Sequence, residues 1–211
     1  MEELETKNRI LKAAENEFAE KGMSGARIDA IAKAAKINKA MLYYYFGNKE
    51  ELYMAVLEST FAELASGVTR IIEEEHTHPV QMFRKYVDFY FKFLSEKPNM
   101  PRIMLRELAS GSRYFREIAS RVLFPIGLKA QEVIREGMDR GILNRVDPEM
   151  TIPVILAPII FFFANRTIIE VLARKEGMTG EMAQSYKENF LNVILNGILK
   201  NDGGENETSG G

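Results

Sequence analysis

An all-α fold is what this sequence predicts, on three observations. Apolar residues recur at three- and four-residue spacing, no segment shows the alternating pattern of a strand, and the breaks fall at proline, glycine and Asp or Asn caps. The chain has 211 residues, 46% of them apolar, enough for one large domain or a small head on a larger body.

The head is read from residues 28–49, IDAIAKAAKINKAMLYYYFGNK. Ile28, Ile31, Ala32 and Ala35 give a short helix one close-packing apolar face and leave Asp29 and Lys33 to water. Lys36-Ile37 makes a tight turn. Asn38 is an N-cap for the next helix, its side-chain oxygen accepting from the unpaired amides there. Leu42 and Phe46, four apart, face inward, which leaves Lys39, Ala40, Met41, Tyr43, Tyr44 and Tyr45 largely outside. Three adjacent tyrosines cannot share one buried helix face. Asn48, with Glu51 three residues later, caps a further helix in a variant of the capping box and directs Lys49 and a helix N-terminus outward.

That layout is a helix-turn-helix suited to reading DNA. A tyrosine hydroxyl on a rigid ring donates to phosphate and fixes orientation without reading sequence, and a helix N-terminus adds a second anion contact. The first turn of the second helix reads bases: Lys39 donates to guanine O6 or N7, and Ala40 is small enough to approach a thymine methyl. The candidate DNA surface is Arg27, Asn38, Lys39, Ala40, Met41, Tyr43, Tyr44, Tyr45 and Lys49. The formal net charge is only -2, yet 27–49 carries Arg27, Lys33, Lys36, Lys39 and Lys49 against Asp29 alone, so positive charge is concentrated where phosphate lies.

The body follows as helix after helix. One spans 49–75 and links head to body, 76–79 breaks it, and 80–97 carries Phe83, Tyr86, Val87, Tyr90 and Leu94 on one stripe. Pro98 and Pro101 punctuate a short helix ending near 108. Gly111-Ser112 opens one running to about 140, bent where Pro125 removes the bond to the Arg121 carbonyl. Asp147-Pro148, a cap followed by proline at the first helical position, starts a helix expected to run to 175. A last helix covers 181–200, and 201–211, NDGGENETSGG, reads as a disordered tail. The domains are therefore 1–48, 49–200 and the tail.

Phe83, Tyr86, Tyr90, Met100, Met104, Phe124 and Phe162 are candidates to line an apolar cavity, with Arg106 and Asn165 as polar groups that orient a ligand, for example through an Arg–carboxylate pair. Other chemistries are excluded. There is no Cys, and no Ser-His-Asp, paired-carboxylate or phosphate-loop arrangement, so no enzyme is expected. His76 and His78 lack a third ligand, and no metal or other cofactor is expected. The apolar run 152–164 contains Pro153 and Pro158 and falls short of the roughly 20 residues that span a bilayer; with no signal peptide at MEELETKNR, a cytoplasmic, nucleoid-associated protein is expected.

Residues 6–57 resemble the N-terminal domain of the TetR family of bacterial transcriptional regulators, through Ile10, Leu11, Ala14, Phe18 and Gly22, then Ile31, Ala32 and Ala35, then Leu42, Tyr43, Phe46, Lys49 and Leu52. The resemblance implies an all-helical homodimer, a DNA-reading head on each subunit and a divergent ligand-sensing body. It also implies that the last two helices pair with their symmetry mates, here through Ile168, Ile169 and Leu172 with Phe190, Ile194 and Ile198. Two departures stand out. Ala26 replaces a helix-capping threonine, with Arg27 beside it to take the phosphate contact, and Lys36 replaces a turn glycine at a cost of roughly 1 kcal/mol if left-handed.

The sequence thus predicts a ligand-responsive transcriptional regulator, a repressor whose homodimer binds a palindromic operator in double-stranded DNA and is released by a small apolar or amphipathic effector. The alternative is a DNA-bound organiser that acts through protein contacts and has no effector.

Overall fold

Residues 2–75, 78–111, 113–174, 176–177 and 179–198 are described by the structure, a computed structural model, and its regular elements are all helical. Helix α1 (Glu2–Gly25) buries Ile10, Ala14 and Phe18, one turn apart, until Gly22 at φ 69° breaks its helical geometry. Helices α2 (Ile28–Ala34) and α3 (Lys39–Phe46) form the helix-turn-helix and sit on α1 and on the start of α4 (Lys49–Glu75). Along its 27 residues α4 buries Leu52, Tyr53, Val56, Leu57, Phe61, Leu64, Val68, Ile71 and Ile72, the three-and-four spacing of a single core-facing stripe. Each such side chain stabilises the fold by about 1.5–3 kcal/mol relative to exposure. One helix therefore belongs to both cores.

The body comprises α5 (Pro79–Glu96), α6 (Asn99–Ala109), α7 (Arg113–Ile118), a π-helical turn (Ala119–Leu123), α8 (Phe124–Asp139), α9 (Pro148–Ala164), α10 (Arg166–Ala173) and α11 (Gly180–Ile198). Two expectations are corrected here. The helix expected over 112–140 is divided: the Phe124 amide reaches back five residues to Ala119, and Pro125 then stands in the first turn of α8, where no amide donor is needed. The ladder widens just before the proline, so that the amide Pro125 lacks falls in the first turn of α8 rather than inside a continuous α-helix. The helix expected over 148–175 ends at Asn165 (φ -114°, ψ 53°), and α10 leaves α9 at 88°. The start was as expected, Asp147 Oδ1 accepting from the amides of Glu149 and Met150 at 2.9 and 3.2 Å. Among the described residues no single helix is long and apolar enough to cross a membrane. His76 and the 201–211 tail lie outside the described residues.

Head and body are joined at a buried polar seam. Tyr53 on α4 packs edge-on against Phe18 of α1 (4.7 Å) and Tyr114 of α7 (5.2 Å), and its hydroxyl donates to Glu107 Oε1 on α6 at 2.7 Å. The other carboxylate oxygen accepts the Phe115 amide at 3.2 Å. Glu107 is 3% exposed, and such a charge is tolerated only when its lone pairs are occupied. The preceding residue, Arg106, points the other way: Nε donates to the Ala19 carbonyl (3.1 Å) and Nη2 to that of Glu20 (2.6 Å), capping α1 where Gly22 ends its ladder.

Glu107→Leu leaves the Tyr53 hydroxyl and the Phe115 amide buried without their acceptor, so urea denaturation should show a loss of about 1–3 kcal/mol, whereas Glu107→Gln, which keeps an acceptor, should lose less. Alkaline pH is a second probe. Burial, then the bond to Glu107, pushes the Tyr53 phenol well above its ordinary value of 10.0, and burial pushes Tyr90 up to about 12. A raised folded value means the native state keeps protons that the unfolded chain releases above pH 10, so this contribution is intact below pH 10 and lost as pH rises. The urea midpoint should fall between pH 9.5 and 11.5, roughly in step with this linkage, and fall less steeply in Tyr90→Phe.

Candidate DNA-binding surface and body cavity

Helix α3 stands on the core through Leu42 and Phe46, both buried, and Asn38 Oδ1 caps it by accepting the Met41 amide at 2.7 Å. The turn before it is a Schellman motif: Ile37 N–H reaches the Ala32 carbonyl (3.0 Å), Lys36 N–H that of Lys33 (3.2 Å), and Lys36 itself is left-handed at φ 57°. The chain thus places a lysine where glycine would be unstrained. After α3 a tight γ-turn closes on Gly47 (φ 67°, ψ -72°), with Asn48 N–H on the Phe46 carbonyl at 2.7 Å. The positive φ favours glycine here, and a Cβ would also displace the Glu51 carboxylate. Asn48 Oδ1 accepts the Glu51 amide (2.9 Å), and Glu51 answers to the Asn48 side-chain amide (2.7 Å).

With this frame set, Ala40 and Tyr44 are freely exposed, Met41 and Tyr43 are about 40% exposed, and Tyr45 is half-buried, edge-on to Tyr44 at 5.4 Å. Three of the expected DNA residues have roles the sequence did not reveal. Lys49 does not project outward as expected: it is half-buried and its Nζ donates to the Ser24 carbonyl at 3.2 Å, tying the start of α4 to the segment before α2. Arg27 is the N-cap of α2, extended at φ -116°, ψ 125°, and its exposed side chain does not cap. Lys39 meets Asp29 Oδ1 at 3.0 Å, and the hydrogen bond its ammonium donates to this carboxylate raises its pKa. Asp29, expected simply to face water, is exposed but paired.

Glu17 is a site residue the sequence reading missed. Buried Ala26 has no hydroxyl to offer, and instead Glu17 Oε1, reaching from α1, accepts the Arg27 amide at 3.1 Å while Lys21 holds it at 3.1 Å. Burial opposes its charge, yet the hydrogen bonds from Lys21 and the Arg27 amide keep its carboxyl below the ordinary value. The available signal was Arg27, an N-cap whose side chain cannot accept, so that an acceptor at the start of α2 has to come from elsewhere.

The body holds a narrow apolar cavity of about 60 Å³ between the C-terminal end of α4 (Ile72), the start of α5 (Met82, Phe83, Tyr86), α8 (Val133), α9 (Ile155) and α11 (Leu195). Its lining hydroxyls are already engaged: Tyr86 bonds to Tyr90, and Thr151 Oγ1 donates to the Asp147 carbonyl at 2.6 Å. Of the candidate lining residues, Phe83 and Tyr86 are on its wall and the others are not. Tyr90 backs Tyr86, ring centroids 4.7 Å apart. Met100 and Met104 belong to the core around α6. Phe162 is buried and stacked on Tyr186 at 4.2 Å, inside an aromatic cluster with Phe91 and Phe163. Phe124 is 61% exposed, Asn165 marks the break between α9 and α10, and Arg106 is committed to α1. No cation therefore faces the cavity from the expected arginine.

Comparison with known proteins agrees with this architecture. Residues 10–56 match the family described as bacterial regulatory proteins, tetR family, and residues 79–194 match the tetracyclin repressor-like C-terminal domain. The HTH-type transcriptional repressor SCO4008 of Streptomyces coelicolor is 30% identical over 154 residues, covering 68% of this chain and 70% of that protein. The HTH-type transcriptional repressor NicS of Pseudomonas putida is 35% identical over 102 residues, about half the length of each chain (48% and 48%). The crystal structure of HlyIIR, a hemolysin II transcriptional regulator, superposes with a TM-score of 0.69 at 25% identity, covering 93% of this chain and 98% of that one. With both family domains matched in order and a helix-turn-helix whose second helix is capped and exposed, this chain belongs to the TetR family of DNA-binding transcriptional regulators.

Proposed function

We propose that the chain is a repressor that binds a palindromic operator as a homodimer and releases it when a small apolar effector enters the body. The observation that carries this reading is the course of α4. Its first turn is fastened to the head through Lys49 and Ser24, and its last turn puts Ile72 into the cavity wall, about 35 Å away at 1.5 Å per residue. Between them, Gly67 leaves a notch filled by the Phe89 ring of α5, so closely that a Cβ at Gly67 could not be accommodated. A wedge at Ile72 acts on one continuous helix that is packed along its length and keyed to α5 at Gly67. Coupling requires that the effector bind the released state more tightly than the DNA-bound one.

The chemistry of the cavity narrows the effector. About 60 Å³ is far below the roughly 300 Å³ of a drug-sized pocket, so the occupant is slender or opens the site. With Tyr86 and Thr151 hydrogens in use and Arg106 elsewhere, it is neutral rather than a carboxylate.

A dimer is supported by the outer face of α9 and α11, where Met150, Val154, Phe161 and Val193 are 47–62% exposed. Phe190, expected on that face, turns into the core against Phe83 (6.5 Å), and Ile168 and Leu172 leave it with α10. Ile194 and Ile198, two of the residues expected there, border the same groove between α9 and α11 as Met150, Val154 and Val193. Two copies joined there would present two α3 helices, and reading a palindrome needs them about 34–36 Å apart.

Val154→Glu should convert the dimer to monomer in light scattering and weaken operator binding by about 100-fold or more, since one head alone forfeits half the contacts; an unchanged mass would sink this assignment of the interface. For the effector, compounds released on denaturing the purified protein are identified by mass spectrometry and added to a gel shift. Val133→Phe, which fills the cavity, should keep DNA binding, lose the copurifying compound and no longer respond to it. Full response in that variant would place the effector elsewhere.

A further inference from the structure

Asp29 is the lone acid between Arg27 and Lys49, on a surface that has to meet a polyanion. It is the second residue of α2, Lys39 is the first of α3, and their ion pair at 3.0 Å spans the two N-termini of the helix-turn-helix. Both side chains are solvent-exposed, and exposed pairs contribute little to stability. The consequence of the pair lies in binding.

We propose that Asp29 is a specificity-determining residue. Paired with Asp29, Lys39 adds no net charge to the head, so it contributes nothing to the sequence-independent attraction that free cations supply. A phosphate contact by Lys39 would bring the paired Asp29 carboxylate up against a second full negative charge, whereas guanine O6 and N7 carry only partial charge. An ammonium has three donors, so Lys39 can keep Asp29 and still donate to guanine O6 and N7. The pair also confines a four-carbon side chain to one region beside Ala40 and Met41, which lowers the ordering cost at the base edge. Asp29 thus penalises phosphate contact by Lys39 and permits base contact. This rests on α3 presenting its first turn to the major groove.

The test measures binding of the full chain, by fluorescence anisotropy over a range of salt, to a duplex recovered by selection from a random pool and to a scrambled duplex. In Asp29→Asn the scrambled duplex should gain about 3–10-fold in affinity with a salt slope steeper by about 0.9, while the selected duplex gains less, so that discrimination falls by about threefold or more. In a Lys39→Ala background, Asp29→Asn should leave discrimination unchanged. Equal gains on both duplexes, or the same loss of discrimination without Lys39, would reduce Asp29 to a through-space charge and overturn the proposal while leaving the groove-facing reading intact. Equal losses on both duplexes in Lys39→Ala would overturn that reading as well.

Discussion

A carboxylate buried where four helices meet governs how this molecule is put together. Glu107 takes the Tyr53 hydroxyl from α4 and the Phe115 amide from α7, while its neighbour Arg106 closes the end of α1. Unsatisfied, each of these groups would cost more than a hydrogen bond gains, so the positions of α1, α4, α6 and α7 are mutually fixed. Hydrophobic burial supplies most of the stabilisation, but it is indifferent to small slips of one helix along another. The polar seam is not. It gives the head a defined attitude on the body, which a two-headed DNA reader requires.

The head shows the same economy at smaller scale. Helices α2 and α3 are short, and three backbone groups around them are met by side chains from outside the helix concerned: Glu17 accepts the Arg27 amide, Asn48 accepts the Glu51 amide, and Lys49 donates to the Ser24 carbonyl. Residues that looked like DNA contacts because they are basic or sit at helix starts thus carry structural bonds too. An ion pair such as Lys39–Asp29 is weak in water, but its value changes once a polyanion displaces solvent, because screening falls and an unpaired carboxylate there is repelled.

In the body, aromatic residues divide between two tasks. Phe91, Phe162, Phe163 and Tyr186 stack into a solid core, with Tyr186 also reaching the Pro158 carbonyl at 3.1 Å, whereas Phe83 and Tyr86 border space. The division follows position along α5: Phe83 and Tyr86 near its start face Ile72 of α4, Val133 of α8 and Leu195 of α11 across the cavity, and Phe91 farther along meets Phe162 and Phe163 of α9.

The sequence by itself determined the all-helical class, the limits of α2, α3 and α4 and the Asn38 and Asp147 caps, because each depends on residues within one or two turns of each other, whereas the left-handed Lys36 was one of two shapes it allowed for the turn. It also gave the exposed face of α3, since Leu42 and Phe46 fix which side is buried. It overran at 112–140 and 148–175, where a π-turn just before Pro125 and an 88° break at Asn165 divide the expected helices. The cavity could be read only in part. Phe83 and Tyr86 were legible as an apolar stripe, but whether a stripe meets another stripe or a gap depends on residues a hundred positions away, such as Leu195. Tertiary structure alone decided that Arg106 caps α1, that Glu17 replaces a missing threonine and that Asp29 holds Lys39, because hydrogen bonds and ion pairs across elements depend on the relative placement of whole helices, which no local pattern encodes.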